Sequence, residues 1–365
     1  MKGPERVDVL VAGAGVMGSA VALELAQRNR RVTVLERSPE GVRAGASGGR
    51  SRVLRFSYED PAYIDLARSS WRAWGELERQ ASKPLLERRG SIEFGGFVRR
   101  LARIWDAVGV SLERVTPRRA WELYSLRIPT TAVYVSDAGV LVPDAVVETQ
   151  VELARRHGAS FVFGDGLATV SDWRRSPVSV TSCAGRKYVA DVVVMATGRW
   201  LRGMCARLGI RLPLFFKAER LAYLSGSFAR APVVIDWRES GRYFVPMNGG
   251  RIAKTAVESV EVRTVALADG PASPVMIRRA LRWTRELTGQ RIGIRSWEKC
   301  ITTHAHGRDF ILDRIGNLGL MSACSGHGFK FAPILARIMA DMVEGRRLAL
   351  ARPILARWSL AAHSV

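Results

Sequence analysis

Lys330 stands in the stretch SACSGHGFKFAP, Ser322 to Pro333, where glycines surround a histidine and two phenylalanines flank the lysine. An apolar helical pattern follows directly, at Ile334, Leu335, Ile338, Met339 and Met342. A helix N-terminus carries partial positive charge and unpaired N–H groups, so a cation there calls for an anion close by. A second set of ionisable residues lies in GRYFVPMNGGRIAKTAVES. Asn248-Gly249 signals a hairpin turn, and alternation then puts Lys254, Ala256 and Glu258 on one face of the second strand. With those two residues as the whole turn, Met247 pairs with Gly250 and Tyr243 stands opposite Lys254. Tyrosine, lysine and glutamate then share one patch, either a solvated outer face or an ionisable cluster.

The clearest element that could position a ligand opens the chain. VDVLVAGAGVMGSAVALELAQRNRRVTVLER reads strand, glycine turn, helix, strand. Gly13 makes the tight turn, Gly15 lets backbone approach a pyrophosphate, and Gly18 lets helix and strand pack closely. The helix beginning at Val16 and Met17 points its N-terminus at that pyrophosphate. Glu36 ends the second strand, where an acid binds both ribose hydroxyls. The motif fits FAD and NAD alike. YVADVVVMATGRW, ending in Ala196-Thr197-Gly198, resembles the second nucleotide-domain signature of flavoproteins. PDAVVETQVELARRHGASFVFG reads as a helix from about Asp144 and then a strand.

These pieces predict an α/β fold with a discontinuous Rossmann-like FAD-binding domain at 1–75, 140–212 and 300–365. A second, α+β substrate domain built on a mostly antiparallel sheet takes 76–139 and 213–299. At 365 residues the chain is long enough for both. The net charge of +22 is unusual, but arginines are spread along the chain in pairs such as Arg99-Arg100 and Arg118-Arg119. With no basic tail and no zinc-finger or RNA-binding signature, no specific nucleic-acid partner is expected. Cys183, Cys205, Cys300 and Cys324 form no C-x-x-C pair, which argues against a disulfide framework or a metal site. The first strand begins near residue 1, and the apolar run from Val7 to Ala26 is broken by Asp8, glycines and Glu24. The expectation is a cytoplasmic protein with no membrane partner, a monomer or small homo-oligomer.

Taken together, the N-terminal glycines, SRVLR and SGHGFKFAP resemble the monomeric sarcosine oxidase family, which includes N-methyltryptophan, pipecolate and picolinate-forming oxidases. The likeness runs nearly end to end, through GASGGRSRVLRFSYEDPAYIDLARSSWRAWGELE, DAGVL and the C-terminal third. It implies FAD held covalently as the 8α-S-cysteinyl adduct of Cys300, in EKCITTHAHGRDFILD. It also implies cofactor contacts from Arg37, Ser51, Gly198, Gly326, Gly328, Phe329 and Lys330. By the same resemblance Arg55 and Lys330 hold a substrate carboxylate, and Arg52 stacks above the flavin. Tyr243 matches an active-site tyrosine, and Lys254 matches the lysine where dioxygen is activated.

Two positions depart from the sarcosine pattern. Glu258 stands where sarcosine oxidases have histidine, and Thr302 replaces a tyrosine, leaving room for a bulkier substrate. A glutamate there could hold a second cationic nitrogen or move a proton. The implied activity is an FAD-dependent amino acid oxidase. A secondary or cyclic amino acid gives a hydride equivalent from a carbon next to nitrogen to flavin N5, and O2 reoxidises the flavin to give H2O2. The alternatives are a biosynthetic cyclic imino-acid oxidase of the picolinate-forming type, a nicotinamide-using flavin hydroxylase, and a basic flavin-fold binding protein without activity.

Overall fold

A computed structural model of the chain describes residues 3–39, 45–238, 241–264, 271–346 and 352–363. The apolar N-terminal segment forms β1 (Glu5–Ala12), which runs parallel to β2 (Val32–Glu36) and to the strand Lys187–Met195. Between β1 and β2, α1 (Val16–Gln27) packs on one face of the sheet, with ten of its residues buried. The strand Ser160–Phe163 extends the sheet beyond β2, and Leu318–Ser322 joins Lys187–Met195 in parallel. Strands buried on both faces explain the near-continuous apolar runs in this part of the sequence. The helix expected from about Asp144 spans Pro143–Arg156, with proline in its first turn.

A short strand, β3 (Arg52–Leu54), pairs with Gly139–Leu141 in a separate three-stranded sheet and carries the middle of the SRVLR stretch. The second large sheet contains β4 (Phe215–Ser225), β5 (Val233–Asp236), β6 (Arg242–Met247), β7 (Ile252–Val262) and β8 (Gly293–His304). Their spatial order is β8-β4-β7-β6-β5, continued by Ser91–Phe94, Ala132–Val135 and Glu113–Val115. All these pairs are antiparallel except that of β5 with Ser91–Phe94. Strand β8 carries Cys300 and runs past the expected boundary at residue 300. Helix α2 (Pro274–Thr288) covers one face of this sheet, and α3 (Ala332–Glu344) packs against α1.

Two details of the hairpin differ from the sequence reading. Met247 pairs with Ile252 rather than Gly250, so Lys254 faces Val245 instead of Tyr243. Neighbouring elements capture the turn. Asn248 N–H donates to Glu87 Oε1 at 2.8 Å and Gly250 C=O accepts from Phe228 N–H at 2.8 Å, so the loop takes four residues. The shift is two residues, one full period of the strand, so Tyr243 and Lys254 keep the same face. The second difference is a bulge. Arg220 pairs with Glu258 and Leu221 with Ala256, which leaves Val257 as an extra residue. Alternation breaks there, and Glu258 does not continue the Lys254–Ala256 face.

Candidate active site

Both large sheets border one cavity of about 1240 Å³. Its dinucleotide end is shaped by backbone. A Cβ on Gly18 would lie 1.8 Å from Gly13 O, so only glycine lets α1 approach the turn. Gly13, Gly15, Val16, Met17, Arg37 and Gly198 line this end, whereas Gly18 supports it from behind. Glu36 also lines it, and its carboxylate accepts from Ala14 N–H at 2.8 Å and Ser38 N–H at 2.9 Å. Thr197 Oγ1, also at this end, is buried with no hydrogen-bond partner among the described residues. A glycine cradle, a ribose-side acid and an orphaned hydroxyl fit a dinucleotide.

At the other end, Arg52 directs its guanidinium to three backbone oxygens, those of Ser51 at 2.7 Å and of Ala46 and Gly48 at 2.6 Å. It lies 5.6 Å from the centre of the Phe329 ring. Ser51 does not itself line the cavity. Its carbonyl accepts from Lys254 Nζ at 2.8 Å, and its buried Oγ has no partner among the described residues. Burial, followed by the charge of Arg52, pushes the Lys254 amine down to about 7. Tyr243 lines the cavity with its phenol pushed up by burial first and by Glu219 next.

Cys300 opens onto the same cavity, paired across the sheet with Glu219, and burial raises its thiol. Thr302 Oγ1 lies 2.8 Å from His304 Nε2, and burial followed by Lys217 lowers that imidazole to about 4. Gly326 and Gly328 line the wall formed by the histidine-containing turn. A Cβ on Gly328 would fall 1.6 Å from Ala323 O. Glu258 borders the cavity and forms an ion pair with Arg220 at 3.1 Å.

Lys330 sits in the turn Phe329–Phe331 that leads into α3, and it is 4% exposed. Its Nζ donates to His327 O at 2.7 Å and to Tyr58 Oη at 3.0 Å. Burial, with the charges of Arg55 and Arg308, holds this amine well below the usual lysine range. Arg55 lies 5.4 Å from the Trp237 ring and 5.9 Å from the Tyr58 ring, and donates to Ser57 O at 3.1 Å. Neither Arg55 nor Lys330 has an acid within ion-pair distance among the described residues. A half-buried guanidinium beside a buried amine, with no carboxylate paired to either among the described residues, makes a site for an anion supplied from outside.

The sequence reading missed Tyr58, Trp237 and Glu219. Tyr58 stands three residues past Arg55 in the loop after β3, and closeness along the chain was the available signal. Trp237 and Glu219 had none, because strand order brings them to the cavity.

Comparison with known proteins places the chain in a class. A sequence profile described as FAD dependent oxidoreductase matches residues 8–342, and the chain belongs to that family. FAD is therefore the dinucleotide that the cradle takes, and the reading as a binding protein without activity is set aside. Monomeric sarcosine oxidase of Streptomyces avermitilis is 26% identical, covering 92% of this chain and 93% of that protein. N-methyl-L-tryptophan oxidase of Salmonella typhimurium is 22% identical, covering 93% and 95%. Among solved structures, a Tyr258Phe mutant of NikD, an unusual amino acid oxidase essential for nikkomycin biosynthesis, superposes with a TM-score of 0.85. It is 23% identical, with 96% and 97% covered. Glycine oxidase from Geobacillus kaustophilus gives 0.85 at 22% identity, with 99% and 100% covered. No helix among the described residues is long and apolar enough to cross a membrane.

Proposed function

We propose that this protein oxidises a secondary or cyclic amino acid at a carbon next to its nitrogen, with dioxygen as final acceptor and hydrogen peroxide as product. One observation carries the reading: Arg55 and Lys330 share a wall of the cavity with no acid in ion-pair distance of either among the described residues. Arg55 can grip a carboxylate through two parallel hydrogen bonds, and Lys330 adds a point charge. Tyr58 Oη, already bonded to Lys330 Nζ, fixes the amine beside that position. Bound FAD supplies the hydride acceptor.

The remaining roles follow from the side chains. Lys254, anchored on Ser51 O, places a titratable amine where negative charge developing on reduced oxygen is stabilised. Tyr243 stays a neutral phenol that donates or accepts a hydrogen bond across the working pH range. Cys300 is the residue that would hold the cofactor covalently. The sequence relatives, whose names specify sarcosine and N-methyl-L-tryptophan, support an N-substituted amino acid as substrate class.

The test is anaerobic mixing of the FAD-loaded enzyme with a panel of secondary and cyclic amino acids. Bleaching of the flavin by one class, and peroxide on readmission of air, is the expected result. Bleaching by nicotinamide cofactors alone would replace this reading with that of a hydroxylase.

A further inference from the structure

The second sheet brings two acids to the cavity, Glu219 and Glu258, and the bulge at Val257 sets how they are paired. Beyond it, Ser259 rather than Glu258 pairs on the cavity side with Glu219 of β4, and Cys300 of β8 pairs with Glu219 from the other side. Glu219 lines the cavity, and Ser259 Oγ donates to its Oε1 at 2.7 Å. It forms no ion pair among the described residues. The nearest lysine on its own strand, Lys217, has its Nζ 5.8 Å from the centre of the Phe215 ring. Burial raises the Glu219 carboxyl, against the Ser259 bond and the charge of Lys217. Of the three acids on the cavity, Glu36 lies at the dinucleotide end and Glu258 is ion-paired with Arg220, which leaves Glu219 as the carboxylate with acceptor capacity near the Cys300 strand.

Its place in the sheet decides what it can hold. Trp237, against which Arg55 lies, directly follows β5, and β4 is separated from β5 by β7 and β6. Three strand spacings of roughly 4.8 Å separate the two ends. In an amino acid the reacting nitrogen is bonded to the carbon that carries the carboxylate, so it remains at the Arg55–Lys330 end. Only a group further along the molecule reaches Glu219. The wall beside it is open enough, because Thr302, paired with Lys217, presents a short side chain turned to His304. We propose that Glu219, with Ser259, is a subsite for a cationic nitrogen on the side chain of the substrate, which makes the substrate class an amino acid with a second basic nitrogen. This rests on the carboxylate anchor proposed above.

The test titrates the FAD-loaded enzyme calorimetrically with hexanoate and with 6-aminohexanoate, which share a carboxylate and differ in the distal ammonium. The amino compound is expected to bind about tenfold more tightly, as for a charge-assisted hydrogen bond to a carboxylate. In Glu219→Gln that ratio falls to about one, and in Ser259→Ala it falls part of the way. Hexanoate binding reports in the same variants that the site is intact. A ratio near one in the wild type, or one that persists in Glu219→Gln, overturns the subsite. If Arg55→Met weakens both ligands while the ratio is one, the anchor stands and only Glu219 is wrongly assigned. If Arg55→Met weakens neither, the anchor fails and the subsite with it.

Discussion

The two ends of the cavity hold their ligands by different means. At the dinucleotide end the work is done by backbone: a turn at Gly13, a close approach at Gly18 and a helix N-terminus at Val16. At the other end it is done by side chains from distant strands, several of them charged, buried and displaced from their ordinary pKa values. The first end has no room for a side chain at Gly13 or Gly18. The second tolerates volume but depends on charge balance, so substitutions should act on fold and cofactor at one end and on protons and ligands at the other.

The largest effect is expected from Gly18→Val, which forces a side chain onto Gly13 O. Because the obstacle is backbone, the loss of stability should reach the upper end of overpacking, about 3 kcal/mol. The purified protein should carry no FAD, which absorbance and thermal melting would show. Cys300→Ser should leave the fold and reversible FAD binding in place but release all colour on acid precipitation. Retained colour in that variant would move the attachment elsewhere.

A smaller effect separates the two ends by pH. Lys254 titrates at about 7 in the folded chain against an ordinary 10.5. Between those values the unfolded chain binds the extra proton, so stability rises with pH across that window. The slope from this group reaches about 1.4 kcal/mol per pH unit. Lys330 is shifted in the same direction and adds to the slope, so Lys254→Met should remove part of it. Denaturant melts from pH 7 to 9.5 measure this. The smallest effect belongs to Glu258→Gln, which breaks the ion pair with Arg220 at a cost of about 1 kcal/mol. Ligand affinity should change less than twofold, and a tenfold loss would make Glu258 a direct ligand contact.

The same contrast governs what the sequence made legible. The glycine turn, its helix and Glu36 lie within one short stretch, and local chemistry dictates them. Tyr243 and Lys254 were placed on one face despite a wrong turn, because the error was a whole strand period. Glu258 was misplaced by a single extra residue, Val257, whose bulge no glycine or proline marks. Glu219 was invisible because nothing local tells that β8 and β7 flank β4. The nearness of Arg55 to Lys330 came only from family resemblance, since long-range packing brings them together.

The central claim is that Arg55 and Lys330 form an anion site awaiting a carboxylate, and titration with pyrrole-2-carboxylate tests it most directly. Binding should be accompanied by proton uptake, because the anion raises the Lys330 amine that burial, Arg55 and Arg308 hold low. Arg55→Met should weaken it about a hundredfold, and Lys330→Met should abolish the proton uptake. Equal affinity in all three proteins, with no proton taken up, would contradict the account.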